Sequence, residues 1–594
     1  MNDNIDIKLQ NWLERRYSDL LEEFKDDKFR MPNAIELFKR KYKHNRDEVS
    51  AILSELRRAG RLKAKLDPDD NRRRIYQMVS KEKIITEQLS LTGKELTRSE
   101  LENLLKKAAD LIRTRVDYKF ILVLLFLKRI SDKWQDEYKK AYDKATRDGL
   151  KEADAQKEAQ SEIYHDFDMP EEYLWDNMRK DVAKLPEQFS KSLKVFAEKN
   201  PELKDVLDNV DFIQFASSRE NAEILRQLVE LFSKKSLHNV SPDILGDAYE
   251  WILRYFAPTK AKEGEVYTPR EVIKLLVEIL KPEPKESIYD PASASNGMLI
   301  ISYDYVKKCY GKEEANKLFL YGQEVNHKTL ALGRMNLYIH DLRNAQLSRG
   351  DTLLHPKFKR NDGSGVEKFN IVIANPPWNQ DGYDEETLKK GEFWKQRFKY
   401  GFTTKQSADW AWIQHMLASS DDENGRVGIV IDNGSLFRSG REGKIRTSIL
   451  EEDLIECIIL LPEKLFYNTG APGALIILKK KKEDHKKNKV LFINASKEYE
   501  KHPDVRKLNI LSERNIAKIV ATYNNFKNSD GFSREVSLSE IKENSYNLNV
   551  TLYVYPEEVV EEIDINKEWK ELYEIEKEIS KVEKKIEGYL KEIK

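Results

Sequence analysis

Phe369-Asn-Ile-Val-Ile-Ala-Asn-Pro-Pro-Trp378 decides how the rest of this chain is read. Four apolar residues, Ile371 to Ala374, make a run of the length and composition of a fully buried strand. Two consecutive prolines then end the strand and fix the backbone. The strand tip therefore carries an amide side chain (Asn375), a carbonyl on a residue with no N–H of its own (Pro376), and an aromatic face (Trp378). An exocyclic amine on a planar ring needs such a set: acceptors for its two N–H groups and a surface to stack on. The plainer alternative is an ordinary strand capped by a Pro-Pro turn.

Outward from this tip, residues 246–555 alternate short apolar strands with helices. Strands are expected at Ser287–Asp290, Leu318–Glu324, Ile371–Ala374, Val427–Asp432, Leu454–Leu461 and Ala474–Leu478. This is the pattern of an α/β, doubly wound, Rossmann-like sheet. Such sheets bind ligands at the carbonyl ends of their strands. Ile288-Tyr-Asp290-Pro291-Ala292-Ser293-Ala294-Ser295-Asn296-Gly297 reads as a strand, a small-residue turn and a helix start. Small side chains let a ligand approach the backbone, and helix amides can hold a carboxylate. Glu324 closes the next strand, where an acid can hold two ribose hydroxyls. Asp351 follows a third strand in Gly350-Asp351-Thr352. Each of these alone has a bland reading as a helix cap, a surface Glu or a turn Asp. All of them, in order and at strand ends, make one constellation.

The remaining regions differ in pattern. Residues 1–80 read as three helices and a hairpin. Met31-Pro32-Asn33 and Arg46-Asp47-Glu48 start helices, Gly60 is a C-cap, and Arg61–Lys65 pairs with Arg72–Met78. Helices followed by a hairpin resemble a winged helix-turn-helix domain. Between Glu36 and Lys65 stand 10 basic and 4 acidic residues, which suits phosphate contact; a protein-docking domain is the other reading. Residues 90–245 are helical and charge-rich, with Leu101–Lys128 as their clearest run. Residues 557–594 form a charged helix in which Leu572, Ile575, Ile579, Val582, Ile586, Tyr589 and Ile593 alternate steps of three and four, the seam of a coiled coil.

Composition bounds the answer. The 594 residues imply several domains. With 103 basic and 103 acidic residues, any nucleic-acid affinity must come from local patches rather than a global field. Two cysteines, Cys309 and Cys457, make neither a disulfide framework nor a zinc site, so no metal is expected. No signal peptide is read at the start, and the longest apolar run, Phe120 to Leu127, is far too short to span a bilayer. A cytoplasmic protein without membrane contact is expected.

Asn375-Pro376-Pro377-Trp378 resembles the catalytic motif of DNA amino-methyltransferases, which methylate adenine N6 or cytosine N4. In that family the Asp290–Gly297 segment is the S-adenosylmethionine loop, usually Asp-Pro-x-Cys-Gly-Ser/Thr-Gly-Gly. Here Ser293, Ala294 and Asn296 stand at the Cys, Gly and Gly positions. Tyr267, Thr268 and Pro269 match the family's first cofactor motif, which wraps the methionine end. The resemblance implies cofactor contacts by Tyr267, Thr268, Pro269, Asp290, Ala292, Ser295, Asn296, Gly297, Glu324 (ribose) and Asp351 (adenine amino group). Asp117 to Asp132, Ala408-Asp409-Trp410-Ala411-Trp412 to Met416, Gly428 to Arg438, Leu461-Pro462 to Gly470 and Asn544 to Asn549 extend the match over about residues 90 to 555. It is specific to the modification (M) subunit of type I restriction–modification enzymes. Asp432 stands where the family usually has Pro, and residues 1–80 are added.

The resemblance implies a site-specific DNA adenine-N6 methyltransferase using S-adenosyl-L-methionine. Its implied partners are double-stranded DNA, a specificity (S) subunit, a second copy of the chain, and a restriction (R) subunit in the full enzyme. The C-terminal helix would dock on the specificity subunit. The sequence shows no P-loop and no nuclease constellation, so cleavage and translocation are expected of another chain. A stand-alone methyltransferase and a catalytically silent DNA-binding scaffold are the other two readings.

Overall fold

A computed structural model describes residues 11–592 except 25–26, 59–61, 68–69, 79–96, 113–116, 201–209, 239, 241–243, 247, 250, 253–254, 257–267, 467–468, 503–504, 506 and 556–564. The chain divides into two compact units, Met1–Leu253 with Ile339–Asp341, and Arg254–Tyr338 with Leu342–Lys594.

The first unit opens with helices Asn11–Phe24, Met31–Tyr42 and Arg46–Arg58 and a three-stranded sheet. Strands β1 (Lys28–Arg30), β2 (Leu62–Asp67) and β3 (Asp70–Met78) lie in the order β1-β3-β2. The hairpin β2–β3 is the expected one; β1 is an addition, placing Phe29 opposite Tyr76. Phe29 also stacks on Phe24, with centroids 4.2 Å apart. Tyr17, Leu20, Leu37, Phe38, Leu53 and Leu56 fill the core beneath. Two of the basic residues counted for phosphate contact are already engaged: Arg40 bridges to Glu23 at 3.1 Å and Lys41 to Asp19 at 2.8 Å. Gly60 lies outside the described residues.

The run Leu101–Lys128, read as one helix, is two: Arg98–Ile112 and Lys119–Arg147. Asp117 explains the second start, because its Oδ1 accepts the Lys119 N–H at 3.0 Å. Within the second helix Lys128 and Asp132 form a buried ion pair, and Asp132 also accepts the Leu237 N–H at 2.7 Å. Those bonds explain how these two charged side chains can be buried among the helix's apolar residues.

The second unit is built on a nine-stranded sheet, in the order β14-β11-β9-β10-β8-β7-β4-β5-β6. The strands are β4 (Ser287–Asp290), β5 (Phe319–Glu324), β6 (Gln346–Arg349), β7 (Ile371–Ala374), β8 (Arg426–Asp432), β9 (Ile455–Leu460), β10 (Gly473–Lys479), β11 (Lys489–Asn494) and β14 (Ser533–Ser537). A separate ribbon joins β12 (Glu500–Lys501) to β13 (Asn509–Ile510). All six expected strands are present to within one residue at either end. From β4 to β8 the pairings are parallel, and β10 inserts antiparallel between β8 and β9. The order reverses between β4 and β7, so the carboxyl ends of these two strands open on a topological switch point.

Both faces of the sheet are covered. Helices Arg270–Leu280 and Gly297–Tyr310 bring Leu275, Leu276, Leu299 and Ile300 against one face. Helix Asp409–Ser419 brings Trp410, Ile413 and Met416 against the other. The last helix, Ile565–Glu592, is charged, as expected. Among the described residues no helix is long and apolar enough to cross a membrane.

Candidate functional site

Parallel pairing of β7, β4, β5 and β6 puts Asn375, Asp290, Glu324 and Asp351 along one carboxyl edge. Asn375 follows β7 directly and is only 8% exposed. Its Oδ1 accepts the Trp378 indole N–H at 2.9 Å, and its Nδ2 donates to Thr268 Oγ1 at 2.8 Å. An indole nitrogen can only donate, so the amide orientation is set and the oxygen keeps a second lone pair. Pro376 and Pro377 fill the space between the two bonded side chains in sequence. Trp378 lies edge-on to Phe466, with centroids 4.7 Å apart at 68°. Gly473, at the start of β10, makes room for this pair: a Cβ there would come within 2.8 Å of the Phe466 ring and 2.9 Å of Trp378. Phe466 and Gly473 were not singled out as site residues from sequence, because they come from a distant strand and the turn before it.

The loop after β4 is held by backbone bonds. Ser293 N donates to Gln323 O at 3.0 Å, and Asn336 Nδ2 donates to Ser295 O at 2.9 Å. Ala294 and Asn296 have φ of +42° and +64°, at the two of the family pattern's three Gly positions where this chain departs from Gly. Asn accepts this region readily, whereas Ala costs about 1 kcal/mol. Asn296 is fully buried where helix His327–Ile339 passes with Gly333: a Cβ at Gly333 would lie 2.3 Å from Asn296 Nδ2. Neither polar atom of the Asn296 amide, nor Ser293 Oγ, has a hydrogen-bond partner among the described residues. Buried orphan polar groups beside a small-residue cradle are what a polar ligand with an amino-acid end would satisfy. Gly297 begins the following helix, and Ala292 N donates to Asp290 Oδ1 at 3.0 Å.

The two acids at the next strand tips are engaged by backbone. Glu324 accepts from Ala294 N at 3.0 Å and from Asn326 N at 2.8 Å. It thus ties the loop to the tip of β5, and burial raises its pKa. Asp290 is buried more deeply. Burial pushes its carboxyl up to about 8 against the pull of the Ala292 N–H, and the Glu324 charge adds to the rise. Asp351 Oδ1 accepts from Leu353 N at 3.0 Å and Leu354 N at 3.2 Å, and its Oδ2 accepts the Tyr383 hydroxyl at 2.8 Å. Thr268 and Pro269 lie at the start of helix Arg270–Leu280; Tyr267 lies outside the described residues.

Further bonds fix the segment that follows Asn375–Trp378. Asn379 N donates to Asp409 Oδ1 at 3.0 Å, and Trp412 Nε1 donates to Gln380 Oε1 at 3.1 Å. Arg438 bridges Asp409 at 3.1 Å and also pairs with Asp432, which gives the residue at the usual proline position a bonded role. Burial raises the pKa of Asp409 despite Arg438. Among the described residues no group of three or more His, Cys, Asp or Glu is placed to hold a metal ion.

Residues 240–562 match the N-6 DNA methylase family, and residues 101–232 match the N-terminal domain of the HsdM family. The chain is 43% identical over 580 residues to the methylase subunit of the type I restriction enzyme MjaVIII from Methanocaldococcus jannaschii, covering 96% of each. It is 43% identical over 595 residues to the MjaVII methylase subunit from the same organism, covering 98% of each. The crystal structure of a type I restriction-modification system methyltransferase subunit from Streptococcus thermophilus superposes with a TM-score of 0.66 at 25% identity, over 77% of this chain and 100% of that one. Together with a strand order that brings an Asn-Pro-Pro-Trp tip beside a small-residue loop, these matches make the chain a member of the N-6 DNA methylases, and within them of the methylase subunits of type I restriction enzymes.

Proposed function

We propose that Asn375, Pro376 and Trp378 carry the adenine-N6 methyl transfer of this modification subunit, and that partner subunits deliver them to DNA. The observation that carries the reading is the Asn375 amide, oriented by Thr268 and Trp378 with a carbonyl lone pair to spare. The target adenine leaves the duplex and stacks on Trp378, whose ring Phe466 braces from the side. Asn375 Oδ1 and the Pro376 carbonyl accept the two amino hydrogens. That pulls the N6 lone pair out of conjugation and directs it away from the ring plane. S-adenosylmethionine, when bound, supplies a methyl group on a cationic sulfur. In-line attack then depends on position and on oriented dipoles more than on a strong base.

For the cofactor, Thr268 and Pro269 stand beside the methionine end, with Tyr267 preceding them. Asp290, Ala292, Ser295, Asn296 and Gly297 line its path across the loop. Glu324 holds the ribose and Asp351 the adenine amino group. The orphaned Asn296 amide fits this assignment, since a bound zwitterion offers both a donor and an acceptor. Sequence choice belongs to a specificity subunit, with a second copy of this chain on the same DNA and a restriction subunit in the full enzyme.

Asn375→Ala removes an acceptor whose bond strengthens in the transition state, so the methylation rate should fall by about 10²-fold or more while S-adenosylmethionine still binds. Single-turnover methylation of a recognised duplex, with the chain assembled on its specificity subunit, measures this. A rate near wild type would remove Asn375 from the chemistry.

A further inference from the structure

Tyr383 lies five residues beyond Trp378, in the loop that follows the catalytic tip. Its hydroxyl donates to Asp351 Oδ2 at 2.8 Å. The two Leu N–H groups already hold Asp351 Oδ1, so Tyr383 completes the fixing of this carboxylate and leaves one Oδ2 lone pair open. The loop itself is anchored around Tyr383. Gly382 N donates to Lys405 O at 2.7 Å, and Thr403 Oγ1 donates to Tyr383 O at 2.7 Å. Nearer the tip, Asn379 and Gln380 are bonded to Asp409 and Trp412. At the far end, Glu392 N donates to Leu354 O at 2.8 Å, so the loop returns to the turn that Asp351 caps. Burial and the Asp351 bond both raise the Tyr383 pKa, which keeps the hydroxyl a donor at any working pH.

We infer that Tyr383 is a positioning residue that couples cofactor occupancy to the loop behind the catalytic tip, by holding the Asp351 carboxylate in the orientation that accepts the cofactor's adenine amino group. The inference rests on the assignment of Asp351 to that amino group. Its energetic logic is reciprocal. If the Tyr383–Asp351 bond strengthens cofactor binding, then cofactor binding strengthens the bond and orders the loop that carries it. The loop starts one residue after Trp378, so the same bond links cofactor occupancy to the segment that carries the base-stacking face.

Calorimetric titration of the full chain tests this, using S-adenosylhomocysteine and its inosine analogue, in which a carbonyl replaces the amino group. Tyr383→Phe should weaken S-adenosylhomocysteine binding by about tenfold, within the usual range of site–site coupling, and leave the inosine analogue almost unaffected. Asp351→Asn should weaken the adenosine ligand as well, and the double variant should bind no worse than Asp351→Asn alone. Unchanged or tighter binding by Tyr383→Phe, with Asp351→Asn weakened, would overturn the coupling and leave the Asp351 assignment standing. Unchanged binding by Asp351→Asn would overturn both. A purely structural role for Tyr383 would weaken both ligands equally, which would also overturn the inference. In the wild-type chain, S-adenosylhomocysteine should slow amide hydrogen exchange in residues 379–391; no protection there would refute the coupling without reference to any variant.

Discussion

Asp290 shows how far its surroundings set the chemistry of a single residue. Its carboxyl ends β4 at 2% exposure, and the bond that stabilises its charge comes from Ala292 N. Burial and the neighbouring Glu324 charge outweigh that bond and push the pKa up to about 8 from an ordinary 3.8. The folded chain therefore holds a proton that the unfolded chain has released. This contribution to stability is fully present below the unfolded pKa and is lost as pH rises through the folded one. Between about pH 5 and pH 8 the cofactor-free protein should lose stability relative to Asp290→Asn by up to roughly 1.4 kcal/mol per pH unit. Denaturant unfolding of the two proteins across that window measures the difference, and parallel curves would mean that the native carboxylate is ionised throughout. The sequence identifies Asp290 as a strand-tip acid; its protonation depends first on burial by the packed sheet and then on Glu324, 34 residues on and one strand across, neither of which is legible there.

At the scale of elements, the four-residue helix Trp394–Arg397 shows what pattern reading misses. Arg397 is 1% exposed, and its guanidinium donates to the carbonyls of Thr352, Leu353 and Glu392. Burial lowers its pKa to about 10, well above neutrality, so it stays charged. It clamps the turn that follows Asp351 from beneath. Arg397→Met should leave those carbonyls unsatisfied, destabilise the protein by about 3 kcal/mol, and weaken S-adenosylmethionine binding through Asp351. Thermal unfolding and calorimetry check both; a variant as stable as wild type would show that water replaces the guanidinium. No periodicity marks Arg397 or Tyr383, because their partners lie on other elements. The central strands, by contrast, announce themselves as short apolar runs between turn formers, which is why β4, β5, β7, β8, β9 and β10 are legible in the sequence. The edge strands were harder. Of Ser533–Ser537 only Ser533 and Val536 are buried, and Gln346–Arg349 has no buried residue, so a strand at each place costs few apolar side chains and leaves little pattern. The three-residue β1 buries Phe29 alone.

At the scale of the whole molecule, the proposed division between a methyl-transfer edge on this chain and sequence choice on a partner subunit bears on the C-terminal helix. Helix Ile565–Glu592 carries Leu572, Ile575, Ile579, Val582 and Ile586 at alternating steps of three and four, and each is more than half exposed. Trp569, near its start, is 71% exposed. Tyr589 and Ile593 continue the spacing in sequence, but their side chains lie outside the described residues. Fully burying one such side chain contributes about 1.5–3 kcal/mol, so covering a half-exposed stripe of five is worth on the order of 5 kcal/mol. A stripe this narrow on a helix this charged fits one partner helix in coiled-coil fashion, with the flanking Glu and Lys left to set register. We propose that this partner helix belongs to a specificity subunit, where docking would bring the Asn375 tip to a chosen site. Deleting residues 557–594 should leave calorimetric S-adenosylmethionine binding unchanged and abolish both co-purification with the specificity subunit and methylation at its recognition sequence. Assembly of the truncated chain at wild-type affinity would reassign the stripe to the chain's own helices and move the docking surface elsewhere on the molecule.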